Sequence, residues 1–207
     1  MVTRWLAQRL GWHRLDSGAL YRILALAADR AGIGPERPDA VAALAPGLAI
    51  EFRGHSEADE AVLVDGRDVT AALRQERTGG LASRIAAAPA VRAALLQRQR
   101  DFRRPPGLVA DGRDMGTVVF PDAVLKLFLD ADAEARARRR WLQLREKDVD
   151  ASLIDLCADV RARDERDRSR TAAPLVPATD AVVVDTTSMS AAEVLQTVER
   201  LLGSAGL

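Results

Sequence analysis

From Leu108 to Leu202 short apolar runs alternate with helical periodicities, and each run ends in a small polar cluster. Leu108 to Ala110 leads into Asp111-Gly112-Arg113-Asp114, Val124 to Leu129 into Asp130, and Ala181 to Val184 into Asp185-Thr186-Thr187. Between and after them, Ala133 to Glu146, Ser152 to Asp167 and Ala191 to Leu202 repeat apolar residues at helical spacing. Earlier in the chain, Trp12 to Leu15 runs into Asp16-Ser17-Gly18 and a helix from about Ala19 to Ala31, which Gly32 stops. Strands separated by helices predict a parallel sheet covered on both faces, an α/β architecture. Ligands of such sheets bind beyond the carboxyl ends of the strands, so the polar clusters predict one shared cleft. Asp130 and Ser190 are equally placed to cap helices and carry no functional weight.

Two stretches depart from the alternation. Val2, Trp5, Leu6 and Leu10 form a helical stripe that Gly11 ends, with no capping residue and no strand ahead of it. Leu48 to Phe52 and Ala61 to Val64 read as two antiparallel strands around the polar loop His55 to Glu60, with a turn at Asp65-Gly66. This predicts a small β insert, preceded by a Pro-rich connection at Gly34 to Asp39 and a short helix to Leu44. Helices follow near Val69 to Gln75, around Ser83 and from Ala90 to Arg103, interrupted by Gly79-Gly80 and closed by Pro105-Pro106-Gly107.

Length and composition set the remaining bounds. A chain of 207 residues, 48% hydrophobic and 29% charged, is expected to fold as one domain with a substantial core. Its 30 basic and 30 acidic side chains cancel, which argues against a nucleic-acid or membrane-surface partner. Aromatic residues make up only 4%, too few for the stacking platforms of a single-strand binder. No apolar run reaches the length of a membrane span, and the N-terminal residues lack a signal-peptide core, so a cytoplasmic setting is expected. The single cysteine, Cys157, sits in an apolar helical pattern and reads as a packing residue.

All but two of the basic side chains are arginine, lysine occurring only at Lys126 and Lys147. Arginine suits bidentate recognition of phosphate. Arg163, Arg166, Asp167 and Arg170 fall on one helical face, and Arg136, Arg139 and Arg140 form a second group on the preceding helix. One reading is a pair of solvated faces with i,i+4 ion pairs. The other is a hinged cover that brings positive charge to a transferring phosphoryl group. Asp111, directly after a buried-type strand, stands where phosphoryl-transfer enzymes carry the acid that organises magnesium.

Four segments, in order, resemble the bacterial cytidylate kinase family. They are Leu15-Asp16-Ser17-Gly18-Ala19-Leu20-Tyr21-Arg22, Val91-Arg92-Ala93-Ala94-Leu95-Leu96, Ala110-Asp111-Gly112-Arg113-Asp114-Met115-Gly116-Thr117-Val118-Val119-Phe120-Pro121, and Arg163-Asp164-Glu165-Arg166-Asp167-Arg168-Ser169-Arg170 with Ala173-Pro174-Leu175. The resemblance implies a nucleoside-monophosphate-kinase fold: a parallel-sheet core, a monophosphate-binding insert at residues 34–84, and a helical lid at residues 136–170. It implies transfer of a phosphoryl group from ATP, with Mg, to CMP or dCMP, by a monomer whose partners are small nucleotides. UMP or AMP are the alternative acceptors.

Carried onto this sequence, the resemblance puts Ser17, Tyr21 and Arg22 at the monophosphate, and Ser83, Arg92 and Asp114 on the cytosine edge. It puts Arg113 and Arg170 on the acceptor phosphate and Arg163 with Asp167 on the ribose side. Arg113, Arg163 and Arg170 are then the catalytic arginines, and Asp111 the magnesium acid.

The family's phosphate-binding loop, G-x-x-x-x-G-K-[ST], is not among these residues. Lys126 is expected in mid-strand and Lys147 is followed by Asp148, so neither lysine can take its place. The expectation is that the sequence begins just after that loop, with the first strand also absent, through a misplaced start site or a trimmed gene model, with a true natural truncation as the alternative. Turnover by these residues alone would then be impaired, leaving a CMP-binding protein as the alternative.

Overall fold

A computed structural model describes residues 1–54, 61–146, 148–169 and 173–207. The polar loop His55 to Glu60, Lys147 and Arg170 lie outside the described residues. The architecture is mixed α/β, with parallel strand pairs, helices between them and a small antiparallel sheet. The described residues divide into two units, His13–Gly112 and Met1–Trp12 with Arg113–Leu207.

In the first unit, strand β1 (His13–Asp16) pairs in parallel with β5 (Leu108–Asp111), in a register that sets Asp16 opposite Asp111. Helix α2 (Ser17–Arg30) follows β1 without a loop. Asp16 ends the strand and caps the helix, its Oδ1 accepting from the Ala19 amide at 3.1 Å. The helix therefore starts two residues earlier than its apolar pattern predicts, because a cap that also belongs to the strand removes the need for a turn.

Helix α2 is apolar on two faces. One, with Tyr21, Leu24, Ala25 and Ala28, packs on α3 (Pro38–Leu44), α5 (Glu76–Ile85) and α6 (Pro89–Arg100). The other, with Ile23 and Leu26, covers Val62 and Val64 of the antiparallel sheet. A helix apolar on so wide an arc belongs in the middle of a unit, and Leu24 is wholly buried. The sheet is β2 (Ile50–Arg53), β3 (Ala61–Val64) and β4 (Arg67–Asp68), with Ile50 opposite Val64. Asp65 and Gly66 join β3 to β4 with φ of 51° and 76°, the left-handed pair that a two-residue hairpin requires. The short β4 is an addition to the two strands legible in the sequence.

Gly79 and Gly80 do not interrupt anything. They lie inside α5, which runs on from the short α4 (Thr70–Leu73). A Cβ on Gly79 would sit 3.3 Å from the Arg22 guanidinium, so this glycine is a site of close approach rather than a breaker.

In the second unit, α1 (Val2–Leu10) ends at Gly11 in the left-handed conformation, as its stripe predicts. β6 (Leu127–Asp130) pairs in parallel with β7 (Val182–Asp185), Leu127 opposite Val182. Lys126 precedes β6 rather than lying within it. Helices α7 (Ala133–Arg145) and α8 (Leu153–Ser169) pack through Ala137, Leu144 and Leu156, with Trp141, Cys157 and Val160 at the margin. α9 (Ala191–Ser204) opens with a capping box between Ser190 and Glu193, so Ser190 has the structural role its position suggests.

Candidate functional site

In the first unit the expected nucleotide-binding residues fall on three packed helices. Ser17, Tyr21 and Arg22 lie on the first two turns of α2, Ser83 on α5 and Arg92 on α6. Ser17 and Ser83 are buried. The Arg92 guanidinium lies over the Tyr21 ring, 5.8 Å from its centroid, and donates to the Ala86 carbonyl at 3.2 Å. Arg22 donates to the Leu73 carbonyl at 2.6 Å. That carbonyl is at the end of α4, where it has no helical donor, so the contact fixes the arginine and satisfies the backbone together.

Gln99 joins this group although its role is not obvious from the sequence. It is 1% exposed, and its Oε1 accepts the Ser17 hydroxyl at 2.7 Å while its Nε2 donates to the Leu95 carbonyl. The available signal is its spacing: Val91, Leu95 and Gln99 follow at i, i+4 and i+8, so a polar residue occupies the buried stripe of α6.

In the second unit, Arg113 and Asp114 enter a wide helical turn, Met115–Val119. The Asp114 carbonyl accepts from Val118 at 2.9 Å and from Val119 at 3.2 Å, and the Met115 carbonyl accepts from Phe120 at 2.7 Å. Such i→i+5 turns are uncommon and concentrate at functional sites. Asp114 is 4% exposed.

On α8, Asp167 is 3% exposed, with Arg113 Nε 3.2 Å and Arg163 Nε 3.9 Å from its Oδ2. Arg113, Arg163 and Asp167 are thus brought together, whereas Arg170 lies outside the described residues. A solvated face of α8 does not describe this carboxylate. One buried carboxylate faces two guanidiniums, and charged planar donors grouped in this way suit an anion.

Two arginines of α7 are used differently from the expected phosphate cover. Arg136 makes a bidentate pair with Asp164 of α8, and Arg139 donates to the carbonyls of Thr186 and Met189 after β7. Arg136 thereby offsets the charge of a nearly buried carboxylate, and Arg139 ties α7 to the backbone that follows β7. The Arg136 guanidinium holds the Asp164 carboxyl below the usual carboxylate range, and the carboxylate raises Arg136 in turn.

Magnesium is tested by the acids at the end of the β1–β5 pair. Asp111 ends β5, and its register partner Asp16 is committed to capping α2. No cluster of three metal-ligating side chains occurs among the described residues. One acid suits magnesium, which is commonly held by one or two carboxylates and otherwise by phosphates and water.

Comparison with known proteins shows the family. The family model described as cytidylate kinase matches residues 1–203. A cytidylate kinase of Aeromonas salmonicida is 54% identical over 204 residues, covering 97% of this chain and 88% of the relative. One of Pseudomonas fluorescens is 55% identical over 92% of this chain and 84% of the relative. One of Bordetella bronchiseptica is 56% identical, covering 95% and 86%. The chain belongs to the cytidylate kinase family.

Proposed function

We propose that this chain is a kinase that binds CMP or dCMP and transfers to it the γ-phosphoryl group of ATP, yielding CDP or dCDP and ADP. The observation that carries the reading is the buried Asp167 flanked by Arg113 and Arg163, in a chain of this family.

The residues take the following parts. Ser83, Arg92 and Asp114 read cytosine: the exocyclic amine needs acceptors, and the ring nitrogen and carbonyl need donors. Tyr21, its ring centroid 5.8 Å from the Arg92 guanidinium, helps to hold that side chain for the base. Arg163 and Asp167 hold the ribose side. Ser17, Arg22, Arg113 and Arg170 hold the acceptor phosphate. An oxygen of that phosphate bonds to the γ-phosphorus as the bond to the β,γ-bridging oxygen breaks. Arg113, Arg163 and Arg170 neutralise the charge on the transferring oxygens, and positioning with neutralisation is most of what such an enzyme supplies. Asp111 would hold magnesium, which screens the donor phosphates when bound. Residues 136–170 act as the lid and residues 34–84 as the monophosphate-binding insert.

A second reading is CMP binding without turnover by these 207 residues, among which the G-x-x-x-x-G-K-[ST] motif does not occur. A coupled assay with CMP, dCMP, UMP and AMP separates the two. It compares the 207-residue chain with the same chain fused to an N-terminal segment that carries a G-x-x-x-x-G-K-[ST] motif. Phosphorylation of CMP by the fusion supports the kinase. Calorimetric CMP binding with no turnover in either form supports the second reading, and no CMP binding by either overturns both.

A further inference from the structure

Lysine is scarce in this chain, and Lys126 is held in a way that arginine could not reproduce. Its side chain is 8% exposed. Its ammonium donates to the Pro121 carbonyl at 2.6 Å and to both Asp180 oxygens, at 2.9 and 2.6 Å. A lysine has three N–H donors, and here each has an acceptor.

The stem of the same side chain runs beneath Gly116. A Cβ on Gly116 would stand 3.1 Å from Lys126 Cδ and 3.3 Å from Cγ, with Ala178 Cβ 3.6 Å away. Gly116 lies within the wide turn Met115–Val119, and Pro121 lies just after it. Lys126 thus touches the turn from below and ties down its exit, while Asp180 anchors the ammonium from the segment before β7. Arg113 and Asp114 stand at the entrance of that turn. Arginine would place the same Cγ and Cδ methylenes under Gly116, but its guanidinium begins directly after them and presents its donors in a fixed planar fork. It therefore does not match the three acceptors gathered around the compact ammonium.

We propose that Lys126 is a positioning residue for the Met115–Val119 turn, and through it for Asp114 and Arg113. The turn fixes where the acid carboxylate and the guanidinium are delivered, and Lys126 fixes the turn. The consequence for ligand affinity rests on the CMP-binding reading; the consequence for the turn does not.

The test uses the whole chain with Lys126→Met, Lys126→Arg and Gly116→Ala, read by amide hydrogen exchange and by calorimetry with CMP. In Lys126→Met the Val118, Val119 and Phe120 amides are expected to exchange at least tenfold faster, with those of Val198 and Leu202 in α9 unchanged. CMP affinity should fall by about tenfold, and Lys126→Arg should not restore either quantity. Gly116→Ala disturbs the same turn from above and should give the same pattern; it decides the matter if Lys126→Met does not fold. The proposal is overturned if the turn amides and CMP affinity are unchanged, if Lys126→Arg matches the parent, or if turn and α9 amides accelerate together. A parent chain that does not bind CMP would remove the proposed function and leave exchange to decide the role of Lys126.

Discussion

Arg113 Nε stands 3.2 Å from Asp167 Oδ2, and Arg163 Nε, one helical turn before Asp167, approaches the same oxygen at 3.9 Å. The carboxylate is buried while the two arginine side chains are about 40% exposed overall, so the acid is the fixed member of the group. Asp167→Asn keeps the shape and removes the charge. The arginines can regain water, which limits the stability cost to about 1–2 kcal/mol. CMP affinity should drop about tenfold or more, equivalent to ~1.4 kcal/mol, because the guanidiniums lose their common anchor. Calorimetry on the folded variant checks this; unchanged affinity would make Asp167 purely structural.

Arg92 separates binding from stability in the opposite unit. Its contacts include the Ala86 carbonyl at 3.2 Å and the face of Tyr21. Together these two are worth about 1–2 kcal/mol. Arg92→Ala should therefore lower the unfolding free energy by about that amount, while CMP affinity falls tenfold to a hundredfold. Denaturant unfolding and CMP titration on one preparation test it. Parallel losses in both would remove Arg92 from the base-reading group.

The two adjacent glycines of α5 should behave differently. Gly80 has open space where a Cβ would go, so Gly80→Ala should gain about 0.5–1 kcal/mol from helix propensity and leave CMP affinity as it was. At Gly79 the added methyl meets the Arg22 guanidinium. Gly79→Ala should forfeit most of that gain and weaken CMP several-fold by displacing Arg22. Matched melting curves and titrations decide between them; equal behaviour would sink the close-approach account of Gly79.

Asp164 gives an acid-limb prediction. Its carboxyl is held low chiefly by hydrogen bonding to Arg136, so the pair stabilises the fold fully above the unfolded carboxylate pKa of about 4. That contribution is lost as pH falls through the lower folded value. Asp164→Asn should cost about 2–3 kcal/mol at pH 7, below the ~3–5 kcal/mol of a fully buried pair because the Arg136 side chain is 29% exposed. The difference from the parent should close below about pH 4. Thermal melts across pH 2.5–7 test this, and a difference that stays constant would rule the linkage out.

Much of this molecule was readable in advance because its elements obey simple periodicities. The stripe of α1, the capping box of α9 and the alternation of β6, α7, α8 and β7 follow from spacing and caps. Failures came where a residue served two purposes. Asp16 ends a strand and caps a helix, which moved the start of α2. Gly79 reads as a breaker by composition but lies in a helix because a guanidinium needs the space. Arg136 and Arg139 share a helical face with charge to spare, yet which partner each takes depends on Asp164 and on carbonyls after β7, far away in sequence. The candidate site residues rest on motif rather than on period. Gln99 and Lys126 carried only weak signals: a polar residue in an apolar stripe, and a lysine among arginines.

The bridge between Arg136 and Asp164 also governs mechanics. It joins the first turn of α7 to the last third of α8, and the apolar seam of Ala137, Leu144 and Leu156 runs from there toward the hairpin tip. Two rods riveted near their roots and glued along their length swing as one lever. Helices α7 and α8 are therefore expected to move together as one body rather than to slide past one another.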